Sequence, residues 1–116
     1  MPELRTPRKN AFEAISTLEH SSESLTAHAI ERARAIAYLI EREHSPTPFV
    51  FPTEIGGIQF EWKGTETGRE LNLEILPEGA HLAYLTIIDG KPIVEAEIID
   101  DFEHKVCTLL NWMRSR

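Results

Sequence analysis

Cysteine is almost missing from this chain. Cys107 stands alone, which excludes an internal disulfide and any zinc site built on several cysteines and suits a reducing compartment. Basic residues are in deficit, twelve against nineteen acidic ones, for a formal net charge of −7. No basic patch stands out that would serve a bare nucleic-acid surface, so direct nucleic-acid binding is not expected. Apolar runs are short. None approaches the roughly 18 residues of a membrane helix, and Met1-Pro2-Glu3-Leu4-Arg5 opens no signal-peptide core. No membrane is expected, and the cytoplasm is the expected location. Also missing are a Gly-x-Ser-x-Gly elbow, a phosphate-cradling Gly-rich loop before a helix, and His-Glu-x-x-His. No catalytic residue, cofactor or metal is therefore assigned, and an enzyme is not expected.

What is present is a globular composition, 41% hydrophobic and 27% charged in 116 residues, enough for one modest core. The pattern predicts a single α+β domain. Its parts are a helical region at 1–44, a Pro-rich crossover loop at 45–57, an antiparallel sheet at 58–99 and a C-terminal helix at 100–114.

Thr6-Pro7 reads as a helix start, with Phe12, Ile15 and Leu18 following at helical spacing over about 7–19. A second helix, 23–43, carries Ala29, Ile30, Ala33, Ile36, Ala37 and Ile40 as one apolar stripe. It ends near His44-Ser45-Pro46, where proline forbids continuation. Phe49, Val50, Phe51 and Ile55 are too apolar to stay solvated, so the loop that holds them should lie against the domain. Ile58, Phe60 and Trp62 alternate with Gln59, Glu61 and Lys63; Leu71, Leu73 and Ile75 alternate with Glu70, Asn72 and Glu74. Strands at 81–88 and 94–99 flank Asp89-Gly90, a strong hairpin signal. Asp100 or Asp101 suits the cap of a last helix with the stripe Phe102, Val106, Leu109, Leu110 and Met113. The expected fold is a four-stranded antiparallel meander with two N-terminal helices and one C-terminal helix on one sheet face.

A two-residue turn at Asp89-Gly90 would set Leu85 opposite Val94 and Ala83 opposite Ala96, with Ile87 and Ile98 on the same apolar face. Pro92 cannot donate to a ladder, which implies a longer loop or an edge position. The other face then carries Gln59, Glu61, Lys63, Glu70, Asn72, Glu74, Leu82, Tyr84, Thr86, Glu95 and Glu97. The acidity is local: residues 54–103 hold twelve acidic and three basic residues. A solvated face, a docking surface for a basic partner, and a divalent-cation site are the readings of this cluster, although no calcium-loop spacing is present. The candidate partner-binding residues are Glu61, Glu70, Glu74, Tyr84, Glu95, Glu97 and, on the last helix, Trp112.

Other motifs carry less. Glu41-x-x-His44 has di-iron spacing but no second copy, so it reads as a chance placement at a helix end. Cys107, three residues after His104, lies beside an apolar stripe and reads as packing. The five histidines show no metal-site spacing. Trp62 belongs to the inward face of its strand and reads as core. Gly56-Gly57 precedes a strand and reads as a tight turn or bulge.

Pro52-Thr53-Glu54-Ile55-Gly56-Gly57-Ile58-Gln59-Phe60-Glu61-Trp62 resembles a recurrent block in a family of small uncharacterised bacterial proteins. There a Pro- and Gly-containing lead runs into Gly-Gly-Ile-Gln-Leu-Glu-Trp. An acidic strand pair follows, and then a final helix with Leu-Leu-x-Trp, matched here by Leu109-Leu110-Asn111-Trp112. The resemblance covers residues 48–113, and Phe60 replaces the usual leucine. It implies an antitoxin-like or immunity-like role and no catalytic residue. Secretion chaperones are a similar class.

The leading expectation is a non-enzymatic protein that docks to or neutralises a basic protein partner. The alternative is a small-molecule or enzymatic module with a pocket near Phe49, Phe51 and Trp62. A third is a homodimer through the alanine-rich stripe of 29–40 or through Trp112 with Met113.

Overall fold

The computed structural model describes residues 10–21, 24–64 and 67–114. Helix α1 spans Ala11–Ser21, and the side-chain oxygen of Asn10 accepts the Glu13 N–H at 2.8 Å, as an N-cap does. The expected start at Thr6-Pro7 lies outside the described residues. Helix α2, Ala27–Arg42, starts later than the pattern predicts. Thr26 is its cap, in extended backbone, accepting the Ala29 N–H at 3.0 Å.

The end of α2 is closed by hydrogen bonds rather than by proline alone. His44 takes left-handed backbone at φ 54°. Its N–H reaches Glu41 O at 3.1 Å, and the Ser45 N–H reaches Ile40 O at 3.0 Å. This paired closure satisfies two of the free carbonyls of the last turn. It gives His44 of the Glu41-x-x-His44 pair a local role as helix stop.

Five strands follow, not four. Strand β1, Phe49–Pro52, lies inside the stretch read as a loop and pairs antiparallel with β2, Ile58–Gly64. The prolines misled because they exclude a central strand, yet an edge strand tolerates them. Strands β3, Arg69–Ile75, β4, Leu82–Ile88, and β5, Lys91–Ile98, complete an antiparallel sheet in the order β1-β2-β3-β4-β5. Helix α3 is Phe102–Arg114. Asp101 precedes it at φ 50° and its carbonyl takes the Lys105 N–H, while the Asp100 carboxylate holds Lys105 Nζ at 2.6 Å.

All three helices lie on one sheet face. Helix α2 packs on β2, β3 and both other helices; α1 meets β1, and α3 meets β2 and β3. The core joins Ile15, Ile36, Phe60, Trp62, Leu73 and Leu110. Ala29, Ala33, Ile36, Ala37 and Ile40 of the α2 stripe are buried in it, so small side chains let the helix approach the sheet closely. Trp62 meets Phe60 edge-on at 5.9 Å and donates its indole N–H to Pro46 O at 2.8 Å. At the β1–β2 turn a Cβ on Gly57 would fall 2.1 Å from Ile75 O, so only glycine fits there.

The β4–β5 hairpin corrects the expected register. Asp89 and Gly90 form a two-residue turn with φ 49° and 79°, as type I′ requires. Ile88 pairs with Lys91 and Ile87 with Pro92, but Thr86 pairs with Val94. Ile93 is therefore an extra residue, a β-bulge. Beside Pro92, which has no N–H to give, the Val94 N–H is taken by Thr86 Oγ1 at 3.1 Å. The one-residue slip swaps the faces of β4. Leu82, Tyr84 and Thr86 turn towards the helices, opposite Ile98, Ala96 and Val94, and Ala83, Leu85 and Ile87 turn outward.

Candidate functional site

The outer sheet face is built by the ladder in three rows. One row runs Phe51, Gln59, Glu74, Ala83, Glu97. The next runs Phe49, Glu61, Asn72, Leu85, Glu95, and the third Lys63, Glu70, Ile87, Pro92. The period-2 alternation of each strand places these side chains together and away from the helices.

All five glutamates of the expected set, Glu61, Glu70, Glu74, Glu95 and Glu97, therefore share this face. The other two members do not. Tyr84 is on the inner face, between Leu73 and Ala96, and packs against the core. Trp112 lies on α3 and packs against the core on the helix side. The guanidinium of Arg69 stands 5.2 Å from its ring centre and donates to its carbonyl at 2.6 Å. Leu82 and Thr86 leave the outer face for the same reason as Tyr84, the bulge at Ile93.

The face also gains apolar members that the sequence pattern did not supply. Ala83, Leu85 and Ile87 form a stripe between the glutamates of β3 and those of β5. Phe49 and Phe51 stack at one edge, ring centres 6.3 Å apart and nearly parallel. The Phe-Val-Phe alternation between prolines was the signal for that edge. An open depression of about 250 Å³ lies mid-face, lined by Gln59, Asn72, Glu74, Leu85 and Glu95 among others. The Asn72 Oδ1 atom is shielded from solvent and takes no hydrogen bond from the described residues. Among the described residues Lys63 is the one base on the face, and its Nζ stands 3.9 Å from Glu61 Oε1.

The alternative sites are dispersed by the fold. Phe49 and Phe51 are outward while Trp62 is buried on the inner face, so the three line no common pocket. The alanine stripe and Met113 are buried within the chain and present no free dimer surface. Cys107 is partly buried; Arg42 Nη2 donates to its sulfur at 3.2 Å, and burial pushes its thiol up from the ordinary range. Among the described residues no group of three or more His, Cys, Asp or Glu is arranged to hold a metal ion. Among them, too, no helix is long and apolar enough to cross a membrane.

Comparison with family models, curated proteins and solved structures finds no match to this chain.

Proposed function

We propose that this chain is a non-enzymatic docking protein that binds, and by binding neutralises, a basic protein partner through its outer sheet face. The observation that carries this reading is the three-row face: five glutamates around an apolar stripe, with one lysine. A plain solvated face calls for polar side chains throughout. Here Leu85 and Ile87 stand where such a face would be polar, and an aromatic pair flanks them. Apolar centre and charged surround is the layout of a recognition surface. The charge would steer and select a basic partner, and the apolar stripe would hold it. A role like that of an antitoxin or immunity protein, in the cytoplasm, fits this mode.

The test is capture of partners from the native host at low and moderate salt by the wild-type chain and by the Glu61→Lys/Glu74→Lys/Glu95→Lys variant. One basic partner that the wild type retains, that salt weakens and that the variant loses is the expected result. A partner held equally by both proteins removes the outer face from the reading.

A further inference from the structure

Among the described residues nothing pairs with the outer edge of strand β5, which ends the order β1-β2-β3-β4-β5. Natural edges are guarded against pairing by proline, bulges, lysine or cover. The guards that act against any partner, Lys91, Pro92 and the bulge at Ile93, stand at one end of the strand, and the charges further along, Glu95 and Glu97, repel only an acidic one. Beyond them Val94–Ile98 runs regularly along β4.

That free stretch is two-faced. Outward it carries Glu95 and Glu97, both exposed. On the helix side it carries Val94, which is 43% exposed although it faces the layer that forms the core elsewhere. The reason is geometric: α3 packs on β2 and β3. A groove of about 490 Å³ opens between β5 and α3, lined by Ile98, His104, Thr108 and Leu109 among others. Ile93 and Ile99, 56% and 65% exposed, flank the stretch Val94–Ile98.

We infer that β5 is an acceptor strand: an extended partner segment alternating lysine or arginine with apolar residues adds to its edge as a sixth strand. The inference rests on the docking reading above and states how the partner enters. Alternation by two sends the basic side chains outward onto Glu95 and Glu97 and the apolar ones inward, over Val94 into the groove. Backbone hydrogen bonds supply affinity and the alternate side chains supply selectivity. A second copy of this chain is a poor occupant. Antiparallel self-pairing centred on Ala96 sets Glu95 of one copy against Glu97 of the other, and like charges directly opposite are destabilising.

The test measures binding of labelled peptides to the full chain. The probe alternates lysine and valine over eight residues, the length of β5. A second peptide holds the same residues in two blocks. Two more carry N-methyl groups on alternate backbone nitrogens, one in each phase, so that one of them sets methyls between the strands. The alternating peptide should bind and slow amide exchange along β5. The blocked peptide and one N-methylated phase should bind at least about tenfold more weakly, as should the plain peptide to Glu95→Lys/Glu97→Lys. Equal binding of all four peptides overturns strand addition; if Glu61→Lys/Glu74→Lys then abolishes that binding, docking on the face stands without it. Failure of every peptide also overturns strand addition, while the capture experiment still decides the docking reading.

Discussion

His44 holds a backbone conformation that glycine adopts without cost, and a side chain in that region carries a penalty on the order of 1 kcal/mol. Its ring is exposed, so little packing offsets the strain. His44→Gly should therefore stabilise the chain by about 0.5–1 kcal/mol, raising the urea midpoint without changing the slope. An unchanged or lower midpoint would show that the ring makes contacts the helix end needs. Asn72 is the opposite kind of residue. It sits in a central strand, where asparagine is disfavoured, with a shielded oxygen that no donor among the described residues satisfies. Such a local misfit costs stability at the centre of the candidate face.

At the scale of elements, the hairpin of β4 and β5 decides the character of the candidate site. Its turn was legible from Asp89-Gly90, but the bulge was not, because no residue type announces which strand takes an extra residue. Pro92 flagged an irregularity without fixing its form. Deleting Ile93 tests this directly. Ile87–Pro92 and Thr86–Val94 then become consecutive pairs, every later pair is kept, and the exposed Ile93 gives up little burial. The deletion should fold, keep Thr86 beside Val94 in cross-strand NOEs, and change stability by less than about 1 kcal/mol. Loss of the fold would mean that the bulge shapes a twist the core requires. Strand β1 was hidden for a related reason: three residues between prolines give too short a period-2 signal, and only pairing with β2 makes a strand of them. The α2 stripe and the inward rows of β2 and β3 were legible, because burial on one side of a regular element leaves a period in the sequence.

Over the whole molecule, acidic charge crowds the outer sheet face, although most of the nineteen acidic residues lie elsewhere. Among the described residues five glutamates share the outer face with one lysine, and adding salt screens their mutual repulsion within a Debye length of about 10 Å at 0.1 M. Raising sodium chloride from about 10 mM to about 200 mM should raise the thermal midpoint of the free chain. The same increase should weaken capture of the basic partner. A midpoint that falls with salt would mean that the exposed ion pairs of Arg34 with Glu19 and Arg42 with Glu103 outweigh the repulsion. The sequence by itself determined the α+β class, the helical stripe, the inward faces of β2 and β3 and the locality of the charge, because each is written in periodicity or composition along a single element. Only the tertiary structure decided that a proline-flanked segment is an edge strand and that Tyr84 and Trp112 belong to the helix side. It alone, too, set an apolar stripe among the glutamates. Those outcomes depend on pairing between elements, where one inserted residue reverses a strand's faces while leaving its composition unchanged.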